Sequence, residues 1–260
     1  MLAALKRIRF DDMELFTGQQ SAVAMHIVNI VSERRCPATI IGHVNLYNYY
    51  LIKHDESVFK AFAKDWILLI DGVGMQLCCQ FMGIRWLPDL NGTDLYPHVM
   101  QATAKRGLRV FFFGATQPIL DAAVTECRHN YAGINIVGTQ SGYFPRSQES
   151  EIIARVRASG ADLVLMSRGS GLQSKFLARH LDDLGATVVW NTGGLFDFLS
   201  GAKPRAPVLW RRLRLEWFYR MLLEPRRMAY RNFIAAPWVI WHCAKLAIRR
   251  YIFHSIPGDG

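Results

Sequence analysis

"WILLIDGVGM", Trp66 to Met75, is apolar for five residues, then acidic, then glycine-rich. A strand with one wet face alternates apolar and polar side chains. A run that is apolar throughout fits a parallel strand covered on both faces. Five more runs share that character: "ATIIGHVN" (Ala38–Asn45), "RVFFFGA" (Arg109–Ala115), "INIVGTQ" (Ile134–Gln140), "DLVLMSRG" (Asp162–Gly169) and "TVVWNTGG" (Thr187–Gly194). Helical patterns separate them, over Gln117–Asn130, Glu149–Ala158 and Leu172–Leu184. This βαβ rhythm predicts an α/β fold, a doubly wound, mostly parallel sheet flanked by helices. Ligands of such sheets bind beyond the strand C-termini, which puts Asn45, Asp71, Gly114, Arg168 and Gly193 first among candidate site residues.

The rhythm stops at Gly201. "AKPRAP" reads as a hinge, dividing an α/β body (1–201) from a basic, aromatic-rich helical appendage (202–260). Trp210, Leu213, Trp217 and Met221 recur at the spacing of one helical stripe, with Arg211, Arg212, Arg214 and Arg220 largely off it. Pro225 stops or kinks that helix. From Lys203 to Arg250 there are 12 Lys/Arg against 2 Asp/Glu, while the rest of the chain is balanced at 19 against 19. The formal net charge of +10 therefore sits in the appendage, with four of the seven Trp. Such a segment suits anionic lipid head groups, phosphate-bearing ligands or nucleic acid. No RNA- or DNA-binding motif accompanies it, so nucleic acid ranks last.

The five cysteines (Cys36, Cys78, Cys79, Cys127, Cys243) form no C-x-x-C, which fits a reducing cytosol. "MLAALKRIRFDDMELF" carries charges where a signal peptide needs an apolar run. The most apolar late stretch, Phe233–Ile248, is interrupted by Pro237, His242 and Lys245. It falls short of the ~20 apolar residues of a spanning helix, so the expectation is a chain that lies on a membrane rather than crossing it.

Each chemical motif has a plain reading beside the functional one. Asp71 can take a proton from a substrate hydroxyl, or cap the next helix, and the residues alone favour the cap. Gly114, in "FFFGATQP", opens a helix whose N–H groups can hold phosphate, or simply turns the chain. In "SRGSGLQSK", main-chain N–H groups at Gly169 and Gly171 suit a diphosphate, and Arg168 serves equally as ligand or structural ion pair. Gly193 and Gly194 form a second glycine turn. His43, beside Asn45, is by type more often structural than catalytic. No GxGxxG, P-loop, Asp-x-Asp or His/Cys metal spacing occurs, so neither cofactor nor metal is expected.

Taken in order, "LLIDGVGM", "NGTDL" (Asn91–Leu95), "GTQSGYF" (Gly138–Phe144), "GGLFDFLSG" (Gly193–Gly201), "RAP" (Arg205–Pro207) and "LEWFYRMLLEPRR" (Leu215–Arg227) resemble the WecG/TagA/CpsF family of bacterial glycosyltransferases. The resemblance spans Thr39 to Arg231. It implies a Rossmann-like, inverting, metal-independent enzyme that moves a sugar from a UDP-sugar donor to a polyprenyl-diphosphate-linked saccharide, in exopolysaccharide or cell-wall glycan assembly. The implied location is cytoplasmic, peripheral on the inner face of the bacterial plasma membrane, among anionic inner-leaflet lipids. Asp71 matches the general base, Asn45 an active-site Asn, and Asp94 the Asp of "NGTDL". His43 stands where the family has Thr. Gln173 matches the Gln of a Gly-Ser-Pro-Lys-Gln-Glu loop, here "GSGLQS", with Gly171, Leu172 and Ser174 at the Pro, Lys and Glu positions. Arg211, Arg214, Arg220, Arg226 and Arg227 are candidates for the tail arginines that complete the family's site. The altered loop leans the donor towards UDP-glucose and the acceptor towards a lipid-linked glucose, with UDP-N-acetylmannosamine and its uronic acid as alternatives. It also supports a competing reading, a non-catalytic membrane-bound adaptor of polysaccharide assembly. Oligomeric state, homo-oligomers included, is left open.

Overall fold

The computed structural model describes residues 5–33, 38–56, 58 and 66–254. Cys36 and the last six residues of the appendage lie outside that set. The chain opens with a hairpin, β1 (Lys6–Phe10) and β2 (Met13–Thr17), turning at Asp11 in a left-handed conformation with φ 53°. There follow α1 (Gln20–Glu33), β3 (Thr39–Val44), α2 (Leu46–His54), β4 (Trp66–Ile70), α3 (Val73–Phe81) and α4 (Gly92–Lys105). The second half runs β5 (Arg109–Gly114), α5 (Gln117–Asn130), β6 (Asn135–Gln140), α6 (Glu149–Ala158), β7 (Leu163–Ser167), α7 (Ser170–His180), β8 (Val188–Asn191) and α8 (Leu195–Leu199).

The eight strands form one sheet in the order β1-β2-β4-β3-β8-β7-β5-β6. Every pairing is parallel except the β1–β2 hairpin. All six apolar runs read from the sequence are strands of it. Alternate residues of each strand go to opposite faces, as strand geometry requires. Ile40, Leu68, Ile70, Phe111, Phe113, Val164 and Met166 join one core layer. Ile41, Ile67, Leu69, Val110, Phe112, Leu163 and Leu165 join the other. The fold is thus a mostly parallel α/β sheet with helices on both faces. The charged N-terminal stretch adds the hairpin because its Lys/Arg/Glu positions alternate with Ile8, Phe10 and Leu15.

The C-terminal segment is helical: α9 (Val208–Arg212), α10 (Glu216–Leu223), α11 (Pro225–Tyr230), a π turn (Arg231–Ala235) and α12 (Ala236–His254). The single stripe expected through Trp210 and Met221 is broken, because Arg214 takes φ 61° and separates α9 from α10. Trp210 instead folds back on Phe218 and Tyr219, with ring centroids 6.0 and 5.7 Å apart. Pro225 opens α11, where a missing N–H costs nothing. α12 packs on the body. Its Val239 and Cys243 are fully buried with Phe10, Tyr49, Cys78 and Cys79 in one core. Trp238 meets His54 at 4.2 Å and Tyr50 at 5.5 Å. Among the described residues, no helix is long and apolar enough to cross a membrane.

Candidate active site

Strands β3 and β4 are neighbours, so their C-terminal ends present Asn45 and Asp71 side by side. Asn45 caps α2, its Oδ1 accepting the Asn48 N–H at 2.9 Å. Its Nδ2 donates to Asp71 Oδ2 at 3.0 Å. One amide thereby ends a strand, starts a helix and aims a carboxylate. The Asp71 side chain caps nothing; α3 begins at Gly72 without a side-chain cap. The residue types alone favoured a capping role. Gly72 has φ 85°, a turn that glycine makes without strain.

A second carboxylate holds that turn. Asp89 Oδ1 accepts the Gly72 N–H at 3.0 Å and the Asn91 N–H at 3.2 Å. Burial first, and then the charge of Asp71, push its carboxyl from 3.8 up to about 6, against those two bonds. Asn91 in turn caps α4 through the Asp94 N–H at 2.9 Å and donates back to the Asp94 carboxylate at 2.8 Å. Arg205 pairs with the same carboxylate. Burial works to raise Asp94, but Asn91 and Arg205 outweigh it and hold it below the ordinary carboxylate range. Asp94 therefore ties the "RAP" segment to the N-terminus of α4. Arg211, whose Nε donates to the Ala206 carbonyl at 3.0 Å, adds charge there.

Beyond β7 and β8, the glycine turns are knitted to each other. Gln173 donates to Asn191 Oδ1 and accepts the Arg168 N–H, and it is fully buried. Ser167 donates to the Gly193 carbonyl. Arg168 Nε donates to the Gly142 carbonyl at 2.7 Å, and its guanidinium lies 4.0 Å over the Phe144 ring. Gly114 has φ 142°, and a Cβ there would run into the Ser167 carbonyl. Gly194 is the N-cap of α8. His43 is buried, with Trp190 Nε1 donating to its Nε2 at 2.8 Å. Burial lowers its pKa, with the Asp71 charge opposing, so the ring is neutral at pH 7. The structure thus gives His43, Gly114, Arg168 and Gln173 partners inside the protein, beneath the strand ends.

A cleft of about 490 Å³ opens beside the Gly169–Gly171 turn. Gly169, Gly171, Leu172 and Lys175 form one wall, Tyr47, Leu51 and Asp55 another, and Arg227, Tyr230 and Arg231 from the C-terminal segment the third. Arg231 lies 4.8 Å from the Tyr47 ring centroid. Burial, with Arg220 and Arg227 nearby, lowers its pKa, while the Asp71 carboxylate opposes that change. A guanidinium stays charged regardless. Arg231 therefore lines the cleft and feels the charge of the carboxylate at the end of β4. Arg220 lies 4.7 Å over the Phe198 ring, and Arg214 bonds Gln76 at 3.1 Å and lies 4.3 Å over Trp86, so both face the body. Arg226 is exposed. Among the described residues, no three His, Cys, Asp or Glu side chains converge to hold a metal ion.

The profile of the glycosyl transferase WecG/TagA/CpsF family matches residues 9–252. The chain belongs to that family. This WecG/TagA/CpsF member is therefore a glycosyltransferase of cell-surface polysaccharide synthesis, with a sugar donor and an acceptor as its substrates. In this family member the strand-end rule singled out Asn45 and Asp71, whose side chains the structure joins. Sequence reasoning missed Asp89, Tyr47 and Arg231. For Arg231 a signal existed: it stands four residues after Arg227, one helical turn on and on the same face. Asp89 had none, since it lies in loop just outside the "NGTDL" motif, with only Leu90 between, and burial gives it its meaning.

Proposed function

We propose that the protein is an inverting glycosyltransferase that moves a sugar from a UDP-sugar to a polyprenyl-diphosphate-linked saccharide at the inner face of the plasma membrane. The observation that carries this reading is the Asp71 carboxylate, held by Asn45 at 3.0 Å, with its charge felt by Arg231, which lines the cleft beside the Gly169–Gly171 turn. A single displacement needs both a base and an anion site. Asp71, aimed by Asn45, takes the proton of the acceptor hydroxyl as its oxygen bonds the anomeric carbon. The bond from that carbon to the diphosphate breaks on the opposite face. Arg227, Arg231 and main-chain N–H groups of the glycine turn meet the charge that develops on departing UDP.

The C-terminal segment supports the lipid side of the reading. Phe233, Ile234, Trp241 and Ile248 are exposed, with Lys245, Arg249 and Arg250 among them. An apolar surface bordered by cations suits anionic head groups.

The test uses purified protein, short-chain polyprenyl-diphosphate saccharides and a panel of UDP-glucose, UDP-N-acetylmannosamine and its uronic acid. One donor is expected to be consumed with inversion. Asp71→Asn should fold and bind UDP, yet transfer at least ~10²-fold more slowly. Near-normal turnover would remove Asp71 from the base role. UDP binding without transfer from any donor would favour the adaptor.

A further inference from the structure

Lys175 and Asp55 face each other across the cleft, and nothing in the reading above uses either. Lys175 Nζ lies 2.8 Å from Asp55 Oδ2, with side chains 44% and 31% exposed. The two ends of this pair are held very differently. Asp55 closes α2, where its N–H bonds the Leu51 carbonyl and its Oδ1 accepts the Val58 N–H at 3.4 Å. Lys175 hangs on a flexible four-carbon stem from the first turns of α7, on the same helical face as Leu172, which also lines the cleft. Gly169 and Gly171 lie just before it, and Arg227 and Arg231 line the same cleft.

Resting on the donor-cleft reading, we infer that Lys175 is a diphosphate ligand, parked on Asp55 while the cleft is empty and handed to the diphosphate when it arrives. A half-exposed ion pair is weak, because water screens it and two side chains must be ordered to make it. A diphosphate brings more negative charge than one carboxylate, into a cleft that already holds two guanidiniums. The ammonium is a mobile point charge, so it can change partner without moving the backbone. Asp55 cannot follow, because its other oxygen is engaged at the end of α2. The pair therefore neutralises the lysine at rest and weakens diphosphate binding by the cost of breaking it.

The experiment is calorimetric titration of the full chain with UDP, UMP and farnesyl diphosphate, for wild type, Lys175→Met, Asp55→Asn and the double variant. Asn at 55 keeps an acceptor for the Val58 N–H and removes only the charge. Lys175→Met should weaken UDP about 10-fold and UMP less, the loss of one charge-assisted contact. Asp55→Asn should tighten UDP about 3-fold. The double variant should match Lys175→Met, since Asp55 matters only through the lysine. Equal UDP affinity in all four proteins, with farnesyl diphosphate equally indifferent to the substitutions, overturns the inference and leaves the donor reading standing. So does an Asp55→Asn gain that persists in the double variant. The same pattern with farnesyl diphosphate in place of UDP keeps Lys175 as a diphosphate ligand and moves the donor reading to the acceptor. Wild type that binds neither compound overturns both.

Discussion

Asp89→Asn should make this protein more stable at neutral pH, and the gain should vanish in acid. Asp89 holds the Gly72 and Asn91 N–H groups, and an amide oxygen at the same position can accept both. What the amide removes is a buried negative charge beside Asp71. Burial and that neighbour raise the Asp89 carboxyl from 3.8 to about 6, so the folded protein binds this proton more tightly than the unfolded chain does. Stability from this group is complete below pH ~4 and is lost as pH rises through about 6. A difference of roughly two pH units corresponds to about 3 kcal/mol at pH 7.5, an upper figure for the gain. With an unfolding entropy of about 2 cal/mol/K per residue, that is a rise in Tm of about 6 °C for a chain of this size. The assay is thermal melting of wild type and variant from pH 4 to pH 8, taking the difference at each pH. The difference cancels groups that work the other way, such as Asp94 and Glu149, whose lowered pKa values cost stability as pH falls. A gap that does not change with pH, or a variant less stable at pH 7.5, would refute the electrostatic account of this turn.

Gly114→Ala should destabilise the fold by about 3 kcal/mol or more, because the new Cβ meets the Ser167 carbonyl at a backbone angle L-residues avoid; chemical denaturation at a fixed pH would show it, and a near-neutral result would mean that β5 and β7 can separate at their ends. Val239→Ala should cost about 2 kcal/mol and lower a single melting transition, since α12 shares its core with Phe10 and Tyr49. Two separate transitions would show instead that the C-terminal segment melts on its own.

The sheet was legible because parallel strands buried on both faces spell themselves as unbroken apolar runs, and six of them did. The hairpin was not, because Arg7, Arg9 and Glu14 sit on its wet face and dilute the signal. Asn45 and Asp71 were found by their place at strand ends, a rule that depends on topology alone. The same rule also raised Arg168 and Gly114, and it cannot tell a side chain facing a ligand from one facing the next loop. Arg168 turns back onto Gly142 and Phe144, and Gly114 is small so that Ser167 can pass. The break at Arg214 escaped a periodicity count because one residue with positive φ leaves the spacing of the letters untouched. Asp89 shows the limit most clearly, since its chemistry is created by burial and by a neighbour 18 positions away.

The meeting of the first hairpin with α12 bears on how the protein is made. Phe10 from the first hairpin and Val239 and Cys243 from α12 complete one core around Tyr49, Cys78 and Cys79. Asp11 binds Tyr49 and Lys53 and lies beside His242. A ribosome makes α12 after every element it covers, so this face of the nascent chain keeps Tyr49 and the α3 cysteines uncovered until α12 has emerged. Contacts spanning nearly the whole chain are slow to close, and apolar surface left open meanwhile invites aggregation. Fragments ending before α12 should accordingly accumulate as insoluble protein, and slowing translation just ahead of α12 should lower the soluble yield.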